Sequence, residues 1–247
     1  MTEQKTTVSE HLIELRSRLI KSIIFLFLTF IVCYIFSEKI YNFLVDPYAQ
    51  AVKDDGNNRR LIFTALHETF LTYLKLAFFS AFFFSCPLIL IQIWKFIAPG
   101  LYKDEKLALF PFLVATPILF LLGGMLVYYL IMPIAIKFFL SFESVSVNGS
   151  LPIQLEAKVN EYLSLVMRLI LAFGISFQLP VFLTLLAKVG FITSEYLKTR
   201  RKYVVIIIFS MAALLTPPDP ITQIGLALPL LLLYEISIYT VKLVEKK

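Results

Sequence analysis

Trp94-Lys95-Phe96-Ile97-Ala98-Pro99-Gly100-Leu101-Tyr102-Lys103-Asp104-Glu105 is a compact polar, proline-bearing loop caught between two long hydrophobic runs. Neither run alternates apolar with polar residues, so neither reads as a strand of a membrane barrel. Each is long enough, at about 20 residues, to cross a bilayer as a helix. Working outward from this loop, further apolar stretches of crossing length recur towards both ends of the chain.

The composition agrees with that pattern. At 59% hydrophobic and 16% charged residues, with 24 phenylalanines, the 247-residue chain is not a water-soluble globular protein. Six spans are expected, at roughly 19–37, 69–93, 108–133, 159–187, 203–216 and 221–240, forming one all-α polytopic membrane domain over residues 1–247. The net charge of +6 is spread by topology rather than gathered into a stripe, which argues against nucleic acid as a partner. With the N-terminus inside, 15 of the 23 Lys and Arg fall in cytoplasmic segments and 6 in external ones, while Lys75 and Arg168 lie within spans. The positive-inside rule therefore places both termini in the cytoplasm. No small-residue cleavage site follows the first run, which is expected to be a retained span rather than a signal peptide. Cys33 and Cys86 sit inside apolar runs and read as packing residues.

The fifth and sixth spans are short. Tyr203 to Thr216 is 14 residues, about 21 Å of helix against a hydrocarbon core of about 30 Å. The apolar run from Ile221 to Tyr234 is equally short before Glu235. Such a hairpin thins the bilayer, takes a partner beside it, or adjusts by tilt and snorkelling. Pro87, Pro111, Pro117, Pro133, Pro180 and Pro229 fall in or at the ends of spans and are expected to kink them. The external connections at about 37–68 and 134–158 are long enough to fold as caps.

Several polar residues remain to be placed. Thr7 and Glu10 have capping-box spacing at the head of an amphipathic helix over about 7–18. Within it Glu14 and Arg18, four apart, make an ordinary surface ion pair or form part of a site. The first cytoplasmic loop carries Asp104 and Glu105 beside the stiff, partly apolar Phe96, Pro99 and Tyr102. Glu14 shares that face, so carboxylates from two segments could meet one cationic ligand. A guanidinium suits them because it forms paired charge-assisted hydrogen bonds, which an ammonium cannot reproduce. A solvated loop with incidental charges is the alternative. Gln178, deep in the fourth span, hydrogen-bonds either within the chain or with a partner helix. Glu161, Ser164 and Arg168 share one helix face, from which Arg168 is expected to snorkel outward or join a polar network. Asp219 suits a turn-former, Glu235 an interface anchor, and Tyr128 a structural polar role. His11 and His67 belong to no ligand cluster, so no metal and no cofactor are assigned. No catalytic constellation appears, and an enzyme is not expected.

Three segments, His11-Leu12-Ile13-Glu14-Leu15-Arg16-Ser17-Arg18, the loop from Trp94 to Glu105, and Leu215-Thr216-Pro217-Pro218-Asp219, occur in an order that resembles the TatC family, the receptor subunit of the twin-arginine protein translocase. The resemblance covers nearly the whole chain. It implies that Glu14 and Glu105 recognise the twin-arginine motif of a folded precursor, with Arg16, Phe96, Pro99 and Tyr102 shaping the site. It implies a supporting role for Pro47, and family positions for Asp219 and Glu235. At Gln178 many family members carry a glutamate, so a proton-carrying carboxylate is not available there. Implied too are transport driven by the proton-motive force, a location in the bacterial inner membrane, and single-span TatA- and TatB-type partners with self-association. The rival from another class is an ion-coupled transporter of a small solute; a passive assembly scaffold is a third reading.

Overall fold

The computed structural model describes residues 8–53, 60–97, 106–143, 154–216 and 219–245. Among them the regular elements are all helical: α1 (Val8–Ile35), α2 (Ser37–Lys53), α3 (Glu68–Ile97), α4 (Lys106–Leu126), a π-helical turn (Val127–Ile131), α5 (Met132–Leu140), α6 (Val159–Ser176), α7 (Leu179–Lys188), α8 (Ser194–Leu215) and α9 (Pro220–Glu245). By length and apolarity five crossings stand out: α1, α3, the α4–α5 unit, the α6–α7 unit and α9. The sixth is α8, compatible with the expected topology. Its apolar part is as short as the sequence suggests, but the helix extends back through Ser194–Lys202 at its polar end. Those nine residues carry Glu195, Lys198, Arg200, Arg201 and Lys202, which dilute its apolar character.

Two spans are broken, both beside a proline. Pro133 cannot donate to the Tyr129 carbonyl, and the helix widens into the π turn immediately before it. Pro180 likewise leaves the Ser176 carbonyl without its helical donor, and α6 ends there. Phe177 and Gln178 form the joint before α7 resumes, the Phe177 N–H reaching the Phe173 carbonyl at 2.8 Å. Pro87, Pro111, Pro117 and Pro229 lie inside continuous helices instead.

At the centre α3, α4 and α6 pack together, with α1 against α3 and the α8–α9 hairpin joined through α7 and α9. The core holds Leu76, Phe120, Leu163 and Phe173, all fully buried. α4 and α6 cross at two glycines. A Cβ on Gly123 would lie 2.7 Å from the Phe173 carbonyl oxygen, and one on Gly174 would lie 2.8 Å from the Phe120 ring. Small residues let the backbones approach this closely, which is how helices associate where no hydrophobic effect drives them together.

The end that the charge count assigns to the exterior is capped. α2 supplies most of the first cap, and Ile62 ties it to the second: its N–H donates to the Ala157 carbonyl, and its carbonyl accepts from the Val159 N–H, each at 3.1 Å. At the other end, the expected amphipathic segment is not a separate helix. α1 runs unbroken from Val8 through the first span to Ile35.

Candidate functional site

The polar N-terminal half of α1 is joined to the end of α3 by one side chain. Arg18, half-buried, directs Nε and Nη2 to Glu14 Oε1 at 3.0 and 2.6 Å. Its Nη1 donates to Gln92 Oε1 on α3 at 3.0 Å. Glu14 and Arg18 are indeed an (i, i+4) ion pair, as the spacing suggests. What the spacing does not contain is Gln92, 74 residues away, which makes the pair a cross-helix joint. Three guanidinium donors are committed, and Glu14 is held in one orientation. A carboxylate has acceptor positions on both oxygens, so one anchored through Oε1 can still accept a second cation. Arg16, on the same turn of α1, is exposed.

Gln92 stands four residues before Phe96 on α3, about 6 Å along the axis. The structure therefore brings Glu14 to the last turns of the helix that leads into the first cytoplasmic loop. Phe96 itself is half-buried. Pro99, Tyr102, Asp104 and Glu105 lie outside the described residues.

A second polar feature is internal. Gln178, at the joint between α6 and α7, is buried and donates from Nε2 to the Thr116 carbonyl on α4 at 3.1 Å. The intrachain reading holds for that half of the amide. Its Oε1 is buried with no partner among the described residues. Arg168, by contrast, is exposed on α6, on the face it shares with the exposed Glu161.

The remaining polar candidates are built into the scaffold. Asp219 caps α9: Oδ1 accepts from the Thr222 N–H at 2.7 Å, its other oxygen accepts from the Thr222 hydroxyl, and Pro220 occupies the first helical position. This is a more specific role than a turn-former. Glu235 pairs with Arg201 of α8 at 2.7 Å. The neighbouring Tyr234 hydroxyl donates to the Leu197 carbonyl at 2.7 Å, so the α8–α9 hairpin is pinned twice at its charged end. A third link closes the same end, where Glu245 accepts from the backbone N–H and the hydroxyl of Ser194. These bonds hold the Glu245 carboxyl below its ordinary range.

Pro47 and Tyr128 explain one another. Pro47 lies inside α2 and has no N–H for the carbonyl four residues back, that of Phe43. The Tyr128 hydroxyl supplies the missing donor at 2.8 Å, and its ring stacks on Phe43 with centroids 4.3 Å apart. The Tyr162 hydroxyl donates to the next carbonyl along α2, that of Leu44, at 3.0 Å. Two tyrosines from the spans thus hold the external cap by its backbone. Among the described residues no group of three or more His, Cys, Asp or Glu is gathered as for a metal ion.

Residues 10–229 match the family model of the Sec-independent protein translocase protein TatC. The chain is 48% identical to the TatC protein of Magnetococcus marinus over 99% of its own length and 87% of that protein. It is 44% identical to TatC of Rickettsia prowazekii, covering 96% of this chain and 92% of the relative. Its fold superposes on the crystal structure of the twin-arginine translocase receptor TatC with a TM-score of 0.79 at 37% identity, over 96% of this chain and all of that one. Six helical crossings, a helical external cap and a polar joint between the first two crossings thus coincide with family-wide similarity in sequence and fold: the chain belongs to the TatC family of Sec-independent protein translocase proteins.

Proposed function

We propose that this multi-pass membrane protein is the receptor subunit of a twin-arginine translocase. It binds the signal peptide of a folded precursor at the cytoplasmic face of the bacterial inner membrane. Glu14 and Glu105 accept the two guanidinium groups, while Arg16, Phe96, Pro99 and Tyr102 shape the surface around them. The observation that carries the reading is the Arg18 joint. It sets Glu14 against the end of α3, the helix leading into the loop that contains Glu105. With Glu14 oriented in advance, less side-chain freedom is lost when an arginine docks. Single-span TatA- and TatB-type subunits assemble with the receptor, which also self-associates. The proton-motive force drives transport and no nucleotide is bound. Gln178 cannot ionise, so any proton step is carried by groups other than this amide.

Binding of Arg-Arg and Lys-Lys signal peptides to the purified chain tests the assignment. Loss of a charge-assisted hydrogen-bonded contact costs about 1.5–3 kcal/mol, or about 10- to 150-fold in affinity. Glu105→Gln and Glu14→Gln should each weaken the Arg-Arg peptide by that order and bring it towards the Lys-Lys value. Unchanged affinity and unchanged discrimination in both variants would remove these residues from the site.

A further inference from the structure

A second site is built on the opposite side of the membrane. Below α2, a crevice of about 440 Å³ opens between α2, α3 and α4, walled by Phe83, Phe84, Leu121, Gly124 and Met125. Phe84, Leu121 and Met125 are exposed in it. Above it lies a compartment of about 410 Å³ of different character, bordered by Asp46, Pro47, Gln50, Pro133 and Lys137. The two share Phe43, Tyr128 and Tyr129 as a common wall. Twelve residues separate Met125 from Lys137 along the α4–α5 unit, about 18 Å of helix. One leaflet of a hydrocarbon core is about 15 Å deep. Apolar and polar parts are therefore stacked in the order, and over the distance, of the tail and head of an amphiphile in the outer leaflet.

We propose that this two-part crevice binds a phospholipid with a zwitterionic, primary-amine headgroup, that is, a phosphatidylethanolamine. A polar compartment stacked on an apolar one suits an amphiphile with one head and one tail better than a partner helix. Head selectivity follows from the rim. The exposed Lys137 offers an ammonium to a phosphate, while the ammonium of Lys39, at the edge of the apolar part, stands over the Phe36 ring. Asp46, whose carboxylate accepts from the Gln50 side-chain amide, borders the same compartment as Lys137 and supplies an anion there. A lipid ammonium donates hydrogen bonds to that carboxylate, whereas a quaternary choline has no N–H to give. A phosphatidylglycerol head, negative and without an amine, offers Asp46 only neutral hydroxyl donors and no compensating charge.

The full chain, purified in mild detergent and offered equal amounts of phosphatidylethanolamine, phosphatidylcholine and phosphatidylglycerol with matched chains, is read by native mass spectrometry. Phosphatidylethanolamine should be retained about fivefold over the other two, the ratio that one exposed ion pair supports. Asp46→Asn should abolish that preference, and Lys137→Gln should lower retention of all three lipids. Met125→Trp should fill the tail compartment and displace lipid of every class, while Met125→Leu, as the control for fold, retains it. Equal retention of the three lipids, unaltered by these variants, would overturn the proposal in favour of ordinary annular lipid. A photoreactive residue at position 125 that crosslinks in membranes to another polypeptide rather than to lipid would overturn it in favour of a partner helix.

Discussion

Replacing Tyr128 by Phe deletes one oxygen and keeps the ring stacked on Phe43. The hydroxyl lies 2.8 Å from the Phe43 carbonyl, an acceptor that Pro47 leaves without a helical donor. A typical intramolecular hydrogen bond contributes about 1 kcal/mol, and an acceptor left dry costs about 1–3 kcal/mol. Tyr128→Phe should therefore lower stability by about 1–3 kcal/mol, at about 2–4 °C in Tm per kcal/mol for a chain of this size. The decisive comparison is the same change in a Pro47→Ala background. Alanine restores an N–H that can donate to the Phe43 carbonyl, so the tyrosine becomes redundant and its removal should cost less than about 0.5 kcal/mol there. Thermal unfolding of the four proteins in one detergent closes the double-mutant cycle. Equal cost in both backgrounds would refute the reasoning, because the tyrosine would then be acting through something other than the carbonyl that proline exposes.

Other outcomes follow from single contacts. Gly123→Ala places a Cβ 2.7 Å from the Phe173 carbonyl oxygen, whereas Gly225→Ala meets only the terminal Cδ1 of the Ile131 side chain at 2.9 Å. The first should cost about 1–3 kcal/mol by overpacking and the second clearly less, as read by unfolding in detergent. Asp219→Ala removes a helix cap and should cost about 0.5–2 kcal/mol, with faster amide exchange in the first turn of α9. Glu245 lies beyond the apolar part of α9, and its carboxyl is held below the ordinary 4.5 by the Ser194 donors. Its contribution is complete above that ordinary value and is lost as pH falls through the depressed one. The protection factor of the Ser194 amide, taken relative to its intrinsic exchange rate at each pH, should accordingly fall under acid conditions, and Glu245→Gln should abolish most of that pH dependence.

The sequence made the crossings legible because apolar length and the distribution of Lys and Arg are one-dimensional signals. α8 was harder to delimit: its charged first turns are as helical as its apolar remainder, and hydropathy sees only the latter. Proline marks where a helix can break without deciding whether it does. Pro133 and Pro180 stand beside a π turn and a joint, while Pro87 and Pro229 are absorbed in continuous helices. For the candidate site, Glu14 and Arg18 were visible as a pair through their spacing, but Gln92 was not, since only packing brings α3 alongside α1. The link between Pro47 and Tyr128 was hidden for the same reason. A proline announces that a carbonyl has lost its donor, and nothing local says which side chain replaces it.

The most direct test of the central claim is site-specific photo-crosslinking in native membranes, with the probe at position 14 or 105 and a precursor carrying either Arg-Arg or Lys-Lys in its signal. The proposal requires crosslinks from both positions to the Arg-Arg precursor and their loss with Lys-Lys. Equal labelling of the two precursors, or none from either position, would contradict it and leave the Arg18 joint as scaffold alone.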